Sequence, residues 1–256
     1  MLLAVDVGNS TTVIGLFRGD SLVHHWRLST QTNWTADEFA LHVHGLLRFE
    51  GLELRDDLIG AVVASVVPPV TSMLESMIAK HLDVPSVLVA PGIKTGIPLR
   101  YENPREIGAD RIANAVAAVE LYGGPAIVVD FGTSTNFDAI DRNGEFLGGA
   151  IAPGVAISTE ALVSRAAQLP EVLPIRPPHV IGRTTVQAIQ SGIVYGFAGQ
   201  VDAIVARIAA ELGPGVTTVA TGGMAQSVLD TCESIDHHDP WLTLKGLRLI
   251  WERNQR

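Results

Sequence analysis

Lysine and cysteine are scarce in this chain, and their scarcity excludes several kinds of site. Cys232 is the only cysteine, so neither an intramolecular disulfide nor a cysteine zinc site can form. Lysine occurs only at Lys80, Lys94 and Lys245, and 27 acidic residues outnumber 18 basic ones. The formal net charge of −9 argues against a general nucleic-acid or anionic-membrane binder, which needs a basic surface.

Long apolar runs are also missing from the sequence. The N-terminal run Leu2–Val5 has no basic segment ahead of it and reaches Asp6 at once, so it predicts a strand rather than a signal peptide. No run approaches the ~20 residues of a membrane span. Hydrophobic residues nevertheless make up 47% of the 256 residues, which is typical of a compact globular protein. We therefore expect a cytoplasmic protein without a membrane partner.

Two short segments of the sequence echo each other. Asp6-Val-Gly-Asn-Ser follows Leu2–Val5, and Asp130-Phe-Gly-Thr-Ser follows Ala126–Val129. In each, an apolar strand ends in an aspartate, and a glycine then permits a backbone conformation that a side chain would forbid. The small residues that follow let backbone N–H groups approach an anion. Two such turns predict a duplicated fold that holds phosphates in a central cleft, although each turn alone also fits an ordinary β-hairpin.

The predicted elements repeat between residues 1–122 and residues 123–256, which indicates two α/β halves, each a mixed sheet with flanking helices. The first half has strands at Leu2–Val5, Val13–Phe17, Leu22–Leu28, Ile59–Val67 and Ser86–Val89, with helices that begin at a Thr35 capping box and at Pro68. The second has strands at Ala126–Asp130, Thr135–Asp141, Glu145–Ala152 and Val216–Thr221, and helices at Gly154–Ala167 and Thr184–Leu212, the latter interrupted near Gly196 and Gly199. We expect a further helix after Gly222-Gly223, a solvated loop at His237-His238-Asp239 and a final helix at Thr243–Glu252. This order is similar to that of the actin-like ATPase and sugar kinase superfamily.

Phosphoryl transfer needs positive charge on the phosphate oxygens, and the loop Gly8–Thr12 contains no lysine to supply it. Neutralisation would then fall to a metal ion, and Mg²⁺ prefers oxygen ligands. Asp6 is a candidate to hold Mg²⁺, directly or through water; the alternative is an Asx-turn carboxylate that only caps the turn. Asp130 lies at the equivalent point of the other half, where we expect it to coordinate a cation or to position the second loop. Thr133 follows it as a candidate nucleotide contact.

Asp110 and Arg111 stand at the start of a predicted helix, Arg111–Leu121. From spacing alone, Asp110 fits an N-cap, where aspartate is favoured. Arg111 is unfavourable beside the positive end of the helix dipole, which suggests that it holds the carboxylate of a ligand.

Five motifs and the chain ending carry a resemblance to a known family. The motifs are Asp6-x-Gly-Asn-Ser, Gly108-Ala-Asp-Arg111, Asp130-x-Gly-Thr133, Gly148-Gly-Ala-Ile-Ala-Pro-Gly154 and Gly192-Ile-Val-Tyr-Gly196, and the ending is Leu242-Thr-Leu-Lys-Gly-Leu247. In this order they resemble the type III pantothenate kinases, which catalyse the first step toward coenzyme A in many bacteria. The resemblance runs essentially from end to end, and it implies that ATP and pantothenate are the substrates.

The resemblance also implies a role for each site residue. Asp110 would be the general base on the primary hydroxyl of pantothenate, and Asp130 would bind the monovalent cation, K⁺ or NH₄⁺, that the family requires. The ATP phosphate loop would consist of Asp6, Val7, Gly8, Asn9, Ser10, Thr11, Thr12 and Val13, with Thr133 as a further ATP contact. Pantothenate would be held by Tyr101, Gly108, Ala109, Asp110 and Arg111, with Thr185 closing the site from across a homodimer. Ser10 and Asn136 depart from the usual pattern, which often has threonine at both positions.

Two other functions remain open at this point. A non-catalytic relative could use the same fold as a regulatory or accessory protein, but it should lose the carboxylates, and this chain keeps Asp6, Asp110 and Asp130. A phosphatase or sugar kinase could share the scaffold as well. The small size of the chain, without insertions for a bulky acceptor, argues against that alternative.

Overall fold

The computed structural model describes residues 1–54, 57–166 and 169–255. The strands are β1 (Leu2–Val7), β2 (Thr11–Arg18), β3 (Ser21–Ser29), β4 (Gly60–Ser65), β5 (Ser86–Leu88), β6 (Ala126–Phe131), β7 (Ser134–Ile140), β8 (Phe146–Pro153), β9 (Thr217–Thr221) and β10 (His237–His238). The α-helices are α1 (Ala36–Phe49), α2 (Pro68–Met77), α3 (Ala109–Tyr122), α4 (Val155–Arg165), α5 (Thr185–Leu212) and α6 (Leu242–Asn254).

The strands form two five-stranded sheets with the same topology. In the first sheet the order is β3-β2-β1-β4-β5, with antiparallel pairs from β3 to β1 and parallel pairs from β1 to β5. The second sheet has the order β8-β7-β6-β9-β10 with the same directions. Asp6 pairs with Val13 and Asp130 pairs with Asn136, so the two aspartates occupy equivalent positions. The predicted duplication of a mixed sheet is confirmed.

Residue packing divides the described chain into two compact units. The first unit comprises Met1–Gly96, Glu102–Ala117 and Leu242–Arg256, and the second comprises Ile97–Tyr101 and Ala118–Trp241. The final helix α6 therefore packs in the first unit, whereas a division after residue 122 places it with the second half.

In the first unit, helices cover both faces of the sheet. A core that includes Leu3, Val5 and Val63 packs against α1 and α2 on one face, and α6 packs against β1, β2 and β4. The absence of a side chain at Gly60 lets α6 lie close to the sheet, because a Cβ there would lie 2.1 Å from the ring of Trp251. The predicted capping box at Thr35 is confirmed, because its hydroxyl accepts the N–H of Glu38 and its own N–H reaches the Glu38 carboxylate.

In the second unit, α4 and α5 pack on β7, and α5 also packs on β6. The core between them includes Ile127, Val129, Phe137, Ile193 and Val201. Successive strand residues point to opposite faces, so Asp130 lies on the face of β6 opposite Val129.

Two predictions about the second half were wrong. The helix α5 continues without interruption for 28 residues. A Cβ at Gly196 or Gly199 would meet nothing within 4 Å, and the apolar packing of α5 outweighs the roughly 1 kcal/mol that each helical glycine costs. After Gly223 the chain forms short 3₁₀ turns at Ala225–Ser227 and Leu229–Thr231 instead of an α-helix.

The prediction of a solvated loop at His237-His238-Asp239 was wrong in part: both histidines are exposed as expected, but they do not form a loop and Asp239 is buried. The two histidines form the short parallel strand β10 beside β9. Asp239 is only 3% exposed and accepts hydrogen bonds from the Tyr122 hydroxyl (3.0 Å) and the Trp241 N–H (3.1 Å). These contacts make it a structural carboxylate within the second unit.

Among the described residues, one helix, α5, is long and apolar enough to cross a membrane by length and composition alone. Its 18-residue window has a mean hydropathy of 1.4, and 28% of the window is buried. The sequence shows no uninterrupted run here because glutamines and glycines separate the apolar residues. A core helix of a soluble protein meets the same criteria, so this property alone does not indicate a membrane span.

Candidate active site

The first candidate loop is a tight turn between β1 and β2. The N–H of Gly8 donates to the Thr11 carbonyl at 3.0 Å, and a Cβ on Gly8 would lie 3.2 Å from the same oxygen. The side chains of Asn9, Ser10 and Thr11 are exposed, while Thr12 is 2% exposed. The loop therefore offers hydroxyl and amide groups to solvent without any charged side chain.

Asp6 lies near the C-terminal end of β1, half-buried between two neighbouring strands. It pairs with Val13 of β2 and with Ala64 of β4. The N–H of Gly8 donates to the Thr11 carbonyl within the turn. A carboxylate at the end of parallel strands is a common position for a residue that binds a ligand.

Asp110 lies in the first turn of α3, not at its N-cap. The Gly108 carbonyl accepts the helical N–H of Ile112 at 3.2 Å, so the helix begins ahead of Asp110 and the N-cap alternative was wrong. The Asp110 Oδ1 accepts the N–H of Arg111 at 2.8 Å. A Cβ on Gly108 would lie 2.3 Å from this Oδ1, so a larger residue there would displace the carboxylate.

The environment of Asp110 raises the pKa of its carboxyl above the ordinary aspartate value. Burial is the largest cause, and the N–H and guanidinium of Arg111 oppose it only in part. Arg111 itself is 6% exposed. A carboxylate with a raised pKa accepts a proton more readily, which is the property that a general base requires.

Val66 lies between Gly108, at the start of α3, and the C-terminal end of β1. Its N–H donates to the Val7 carbonyl at 3.1 Å, and a Cβ on Gly108 would lie 3.4 Å from its Cγ1. Gly108 and the end of β1 therefore flank the same residue. Within the first unit, the predicted phosphate loop Asp6–Val13 and the predicted acceptor motif Gly108–Arg111 lie at one edge of one sheet.

The second candidate loop repeats the first with one residue fewer. The N–H of Gly132 donates to the Ser134 carbonyl at 3.0 Å, and Thr133 is exposed at the tip. Asp130 lies beside the end of β9: a Cβ on Gly222, whose φ is +94°, would lie 2.5 Å from its Oδ1. Only a glycine allows the chain to pass so close to this carboxylate.

Neither loop forms a metal site from protein ligands alone. In the part of the chain that the structure describes, no three His, Cys, Asp or Glu side chains are grouped to hold a metal ion. Asp6 and Asp130 each supply one carboxylate, and this fits a hard cation whose remaining ligands are water and phosphate oxygens.

The remaining predicted residues lie in the second unit. Tyr101 ends a segment that pairs with Phe146 through the Arg100 N–H at 2.8 Å. Its ring packs 6.3 Å from the Phe146 ring, and the missing side chain of Gly148 makes room for it. Thr185 is exposed at the first position of α5.

Comparison with known proteins identifies the family. The family model described as type III pantothenate kinase matches residues 2–207. A type III pantothenate kinase of Thermobifida fusca is 56% identical over 258 residues, which cover 99% of this chain and 100% of the relative. One from Moorella thermoacetica is 54% identical, with 99% and 100% covered. The chain belongs to the type III pantothenate kinase family. The resemblance carried by the sequence motifs is confirmed.

Solved structures outside this family share its fold. The activator of the 2-hydroxyisocaproyl-CoA dehydratase from Clostridium difficile, solved with bound ADPNP, superposes with a TM-score of 0.55 at 13% identity over 99% of this chain and 96% of its own. An inorganic polyphosphate/ATP-glucomannokinase from Arthrobacter gives 0.51 at 12% identity, with 98% of both chains covered. Likeness at this identity supports the actin-like and sugar kinase fold alone.

Thr30 contacts the first loop, although no sequence motif marks it. Thr30 follows β3, and its hydroxyl donates to the Gly8 carbonyl at 2.7 Å. No motif marks it, because a threonine after a strand is common and its contact spans 22 residues of sequence.

Proposed function

We propose that this protein transfers the γ-phosphate of ATP to pantothenate, giving 4′-phosphopantothenate and ADP. Full-length similarity to type III pantothenate kinases supports the substrates. The observation that carries the mechanism is the placement of Asp110: a carboxyl with a raised pKa, on the first turn of α3, at the sheet edge that also holds the first loop.

In the proposed reaction, Asp110 acts as the general base. It accepts the proton of the pantothenate primary hydroxyl as the oxygen attacks the γ-phosphorus. A new P–O bond forms to pantothenate, the bond from the γ-phosphorus to the β–γ bridging oxygen breaks, and ADP leaves with that electron pair. The Arg111 N–H holds the carboxylate of Asp110 in position through the 2.8 Å hydrogen bond.

ATP binding is assigned to the first loop, Asp6–Val13, with Thr133 as a further contact. The turn Gly8–Ser10 would lie against the phosphates, and Asp6 would hold Mg²⁺ directly or through water. When bound, Mg²⁺ would neutralise phosphate charge that no lysine of the loop can neutralise. Asp130 is the residue we assign to a monovalent cation, K⁺ or NH₄⁺.

Pantothenate binding is assigned to Gly108–Arg111, Tyr101 and Thr185. Arg111 is the proposed partner of the pantothenate carboxylate, because a guanidinium binds a carboxylate through two parallel hydrogen bonds. Gly108 leaves the space that the Asp110 carboxylate occupies, so this carboxylate and the acceptor motif lie together at the start of α3.

We also propose that the protein is a homodimer. Of the thirteen large hydrophobic residues that are exposed in the described part of the chain, nine fall between residues 147 and 186 of the second unit. They are Leu147, Ile151, Ile157, Leu162, Leu173, Ile175, Val180, Ile181 and Val186. We assign this stretch to an interaction surface, because large exposed apolar areas commonly mark interaction sites. Thr185 lies within this stretch of the sequence, which is consistent with a role at a subunit boundary.

A cytoplasmic location without nucleic-acid or membrane partners completes the proposal. The net charge of −9 argues against binding to nucleic acid or to anionic membranes.

Product analysis tests the proposed reaction. The protein is incubated with Mg-ATP and pantothenate, and the products are analysed by mass spectrometry. We expect 4′-phosphopantothenate from the wild type and about 10²-fold less, or lower still, from Asp110→Asn in the same time. Glucose replaces pantothenate as the control acceptor; phosphorylation of glucose but not of pantothenate would overturn the proposal.

A further inference from the structure

Thr30 makes three hydrogen bonds to the first loop. Its N–H donates to the Ser10 carbonyl at 3.0 Å, and its hydroxyl donates to the Gly8 carbonyl at 2.7 Å. The same hydroxyl lies 3.0 Å from the hydroxyl of Thr12, which is almost completely buried. One residue at the end of β3 therefore contacts three positions of a loop that lies about twenty residues earlier in the chain.

These bonds determine which polar groups the loop presents. The carbonyl oxygens of Gly8 and Ser10 accept from Thr30, and that of Thr11 accepts from Gly8. A carbonyl oxygen repels a phosphate, whereas N–H and hydroxyl groups attract it. Bonding these three carbonyl acceptors of the turn region to protein donors therefore favours the conformation that suits an anion.

The second loop lacks this arrangement, although a later residue donates its N–H to it in the same way. Gly154 stands where Thr30 does, and its N–H donates to the Thr133 carbonyl at 3.1 Å. A Cβ on Gly154 would lie 2.3 Å from that oxygen, so no side chain fits there. Thr135, the counterpart of Thr12, is fully buried, and its hydroxyl has no hydrogen-bond partner among the described residues.

We propose that Thr30 is a positioning residue that holds the first loop in its phosphate-binding conformation, and that the duplicated second loop does without an equivalent. The proposal rests on the assignment of the first loop to ATP. Thr30 acts through Gly8, Ser10 and Thr12 rather than on a reacting atom, so it should affect ATP binding more than acceptor binding.

Three variants of Thr30 separate positioning from a general structural role. Thr30→Val keeps the shape and removes the hydroxyl with its bonds to Gly8 and Thr12, and we expect it to raise the KM for Mg-ATP about tenfold. The KM for pantothenate should stay close to that of the wild type. Thr30→Ser retains the hydroxyl and should restore the KM for Mg-ATP. Thr30→Ala replaces Thr30→Val if the latter does not fold. Thr231→Val is the control, because it removes a hydroxyl that donates to the Val228 carbonyl away from the loop.

Calorimetric titration with Mg-ATP, without acceptor, makes the test independent of turnover. If the wild type binds Mg-ATP but does not phosphorylate pantothenate, the proposed reaction fails while the Thr30 comparison proceeds on dissociation constants. An unchanged Mg-ATP affinity in Thr30→Val would overturn the role of Thr30. So would equal increases in both KM values, or failure of Thr30→Ser to restore binding.

Discussion

Asp110 combines a fixed position with a pKa that its surroundings raise. Burial favours the protonated form, and the N–H of Arg111 holds the carboxylate toward the helix start. An aspartate exposed to water is a weak base near neutral pH. The partial burial of Asp110 makes proton transfer from the acceptor hydroxyl more favourable, and Gly108 leaves the space that the carboxylate occupies.

Replacement of Asp110 by asparagine should strongly reduce turnover while Mg-ATP binding survives. The amide cannot accept the hydroxyl proton, so kcat should fall by about 10² or more, the contribution of a general base. ADP release measures turnover, and calorimetry measures nucleotide binding. Asp20→Asn, in an exposed turn of the same unit, is the matched control. Turnover like that of the wild type in Asp110→Asn would remove Asp110 from its role.

The raised pKa of Asp110 also predicts an effect on stability. The folded protein holds this proton more tightly than the unfolded chain, so the ionised carboxylate destabilises the fold above the folded pKa. Below the unfolded pKa, near 4, both states are protonated and this contribution vanishes. Asp110→Asn should therefore raise the Tm at neutral pH, by a margin that shrinks as the pH is lowered toward about 4. A variant less stable than the wild type at neutral pH would contradict burial as the dominant cause.

At the scale of elements, the position of α3 depends on a close crossing with α6. A Cβ on Gly246 would lie 1.9 Å from the backbone oxygen of Ala113. Beside the crossing, the Thr243 hydroxyl donates to the Asn114 side-chain oxygen at 2.8 Å, and Asn114 is fully buried. Because α3 also carries Asp110, this packing supports the candidate site from the far end of the chain.

Gly246→Ala should destabilise the protein by about 1–3 kcal/mol, because overpacking forces the two helix backbones apart. The control is Gly45→Ala in α1, where a Cβ meets nothing within 4 Å. That change should stabilise the protein by up to about 1 kcal/mol, since alanine is the better helix former. Urea unfolding measures both. Equal effects of the two substitutions would show that the crossing is not tightly packed.

The sequence predicted elements well where local chemistry defines them. The Thr35 capping box and Pro68 each marked a helix start that the structure confirms. Local chemistry failed in α5, where tertiary packing keeps a helix intact through glycines that sequence rules treat as breaks. It also failed at His237–His238, because pairing with β9 is a contact across the fold that no local pattern announces.

At the scale of the whole molecule, the echo between the Asp6 and Asp130 segments predicted the duplicated topology. The equivalence extends to their strand partners, Val13 and Asn136. The support that Thr30 gives to one loop could not be predicted, because it depends on a side chain that arrives from a third strand. Duplication in the sequence thus indicates where loops lie but not how each is held.

The concentration of exposed apolar residues between 147 and 186 predicts a homodimer in sedimentation experiments. Ile181 is 82% exposed, and Ile181→Asp should shift the protein toward monomer because a charge cannot be buried unpaired in an apolar interface. Leu41→Asp, at a residue 70% exposed in the first unit, should leave the dimer intact. An active wild-type monomer at working concentration would contradict this prediction.

The most direct test of the central claim is ADP release from Mg-ATP with and without pantothenate, measured in potassium and again in sodium. We predict release that requires pantothenate and is faster in potassium. Pantothenate-dependent release at the same rate in both salts would support the kinase activity but contradict the monovalent-cation role of Asp130. No pantothenate-dependent release in either salt would contradict the claim that this chain is a pantothenate kinase.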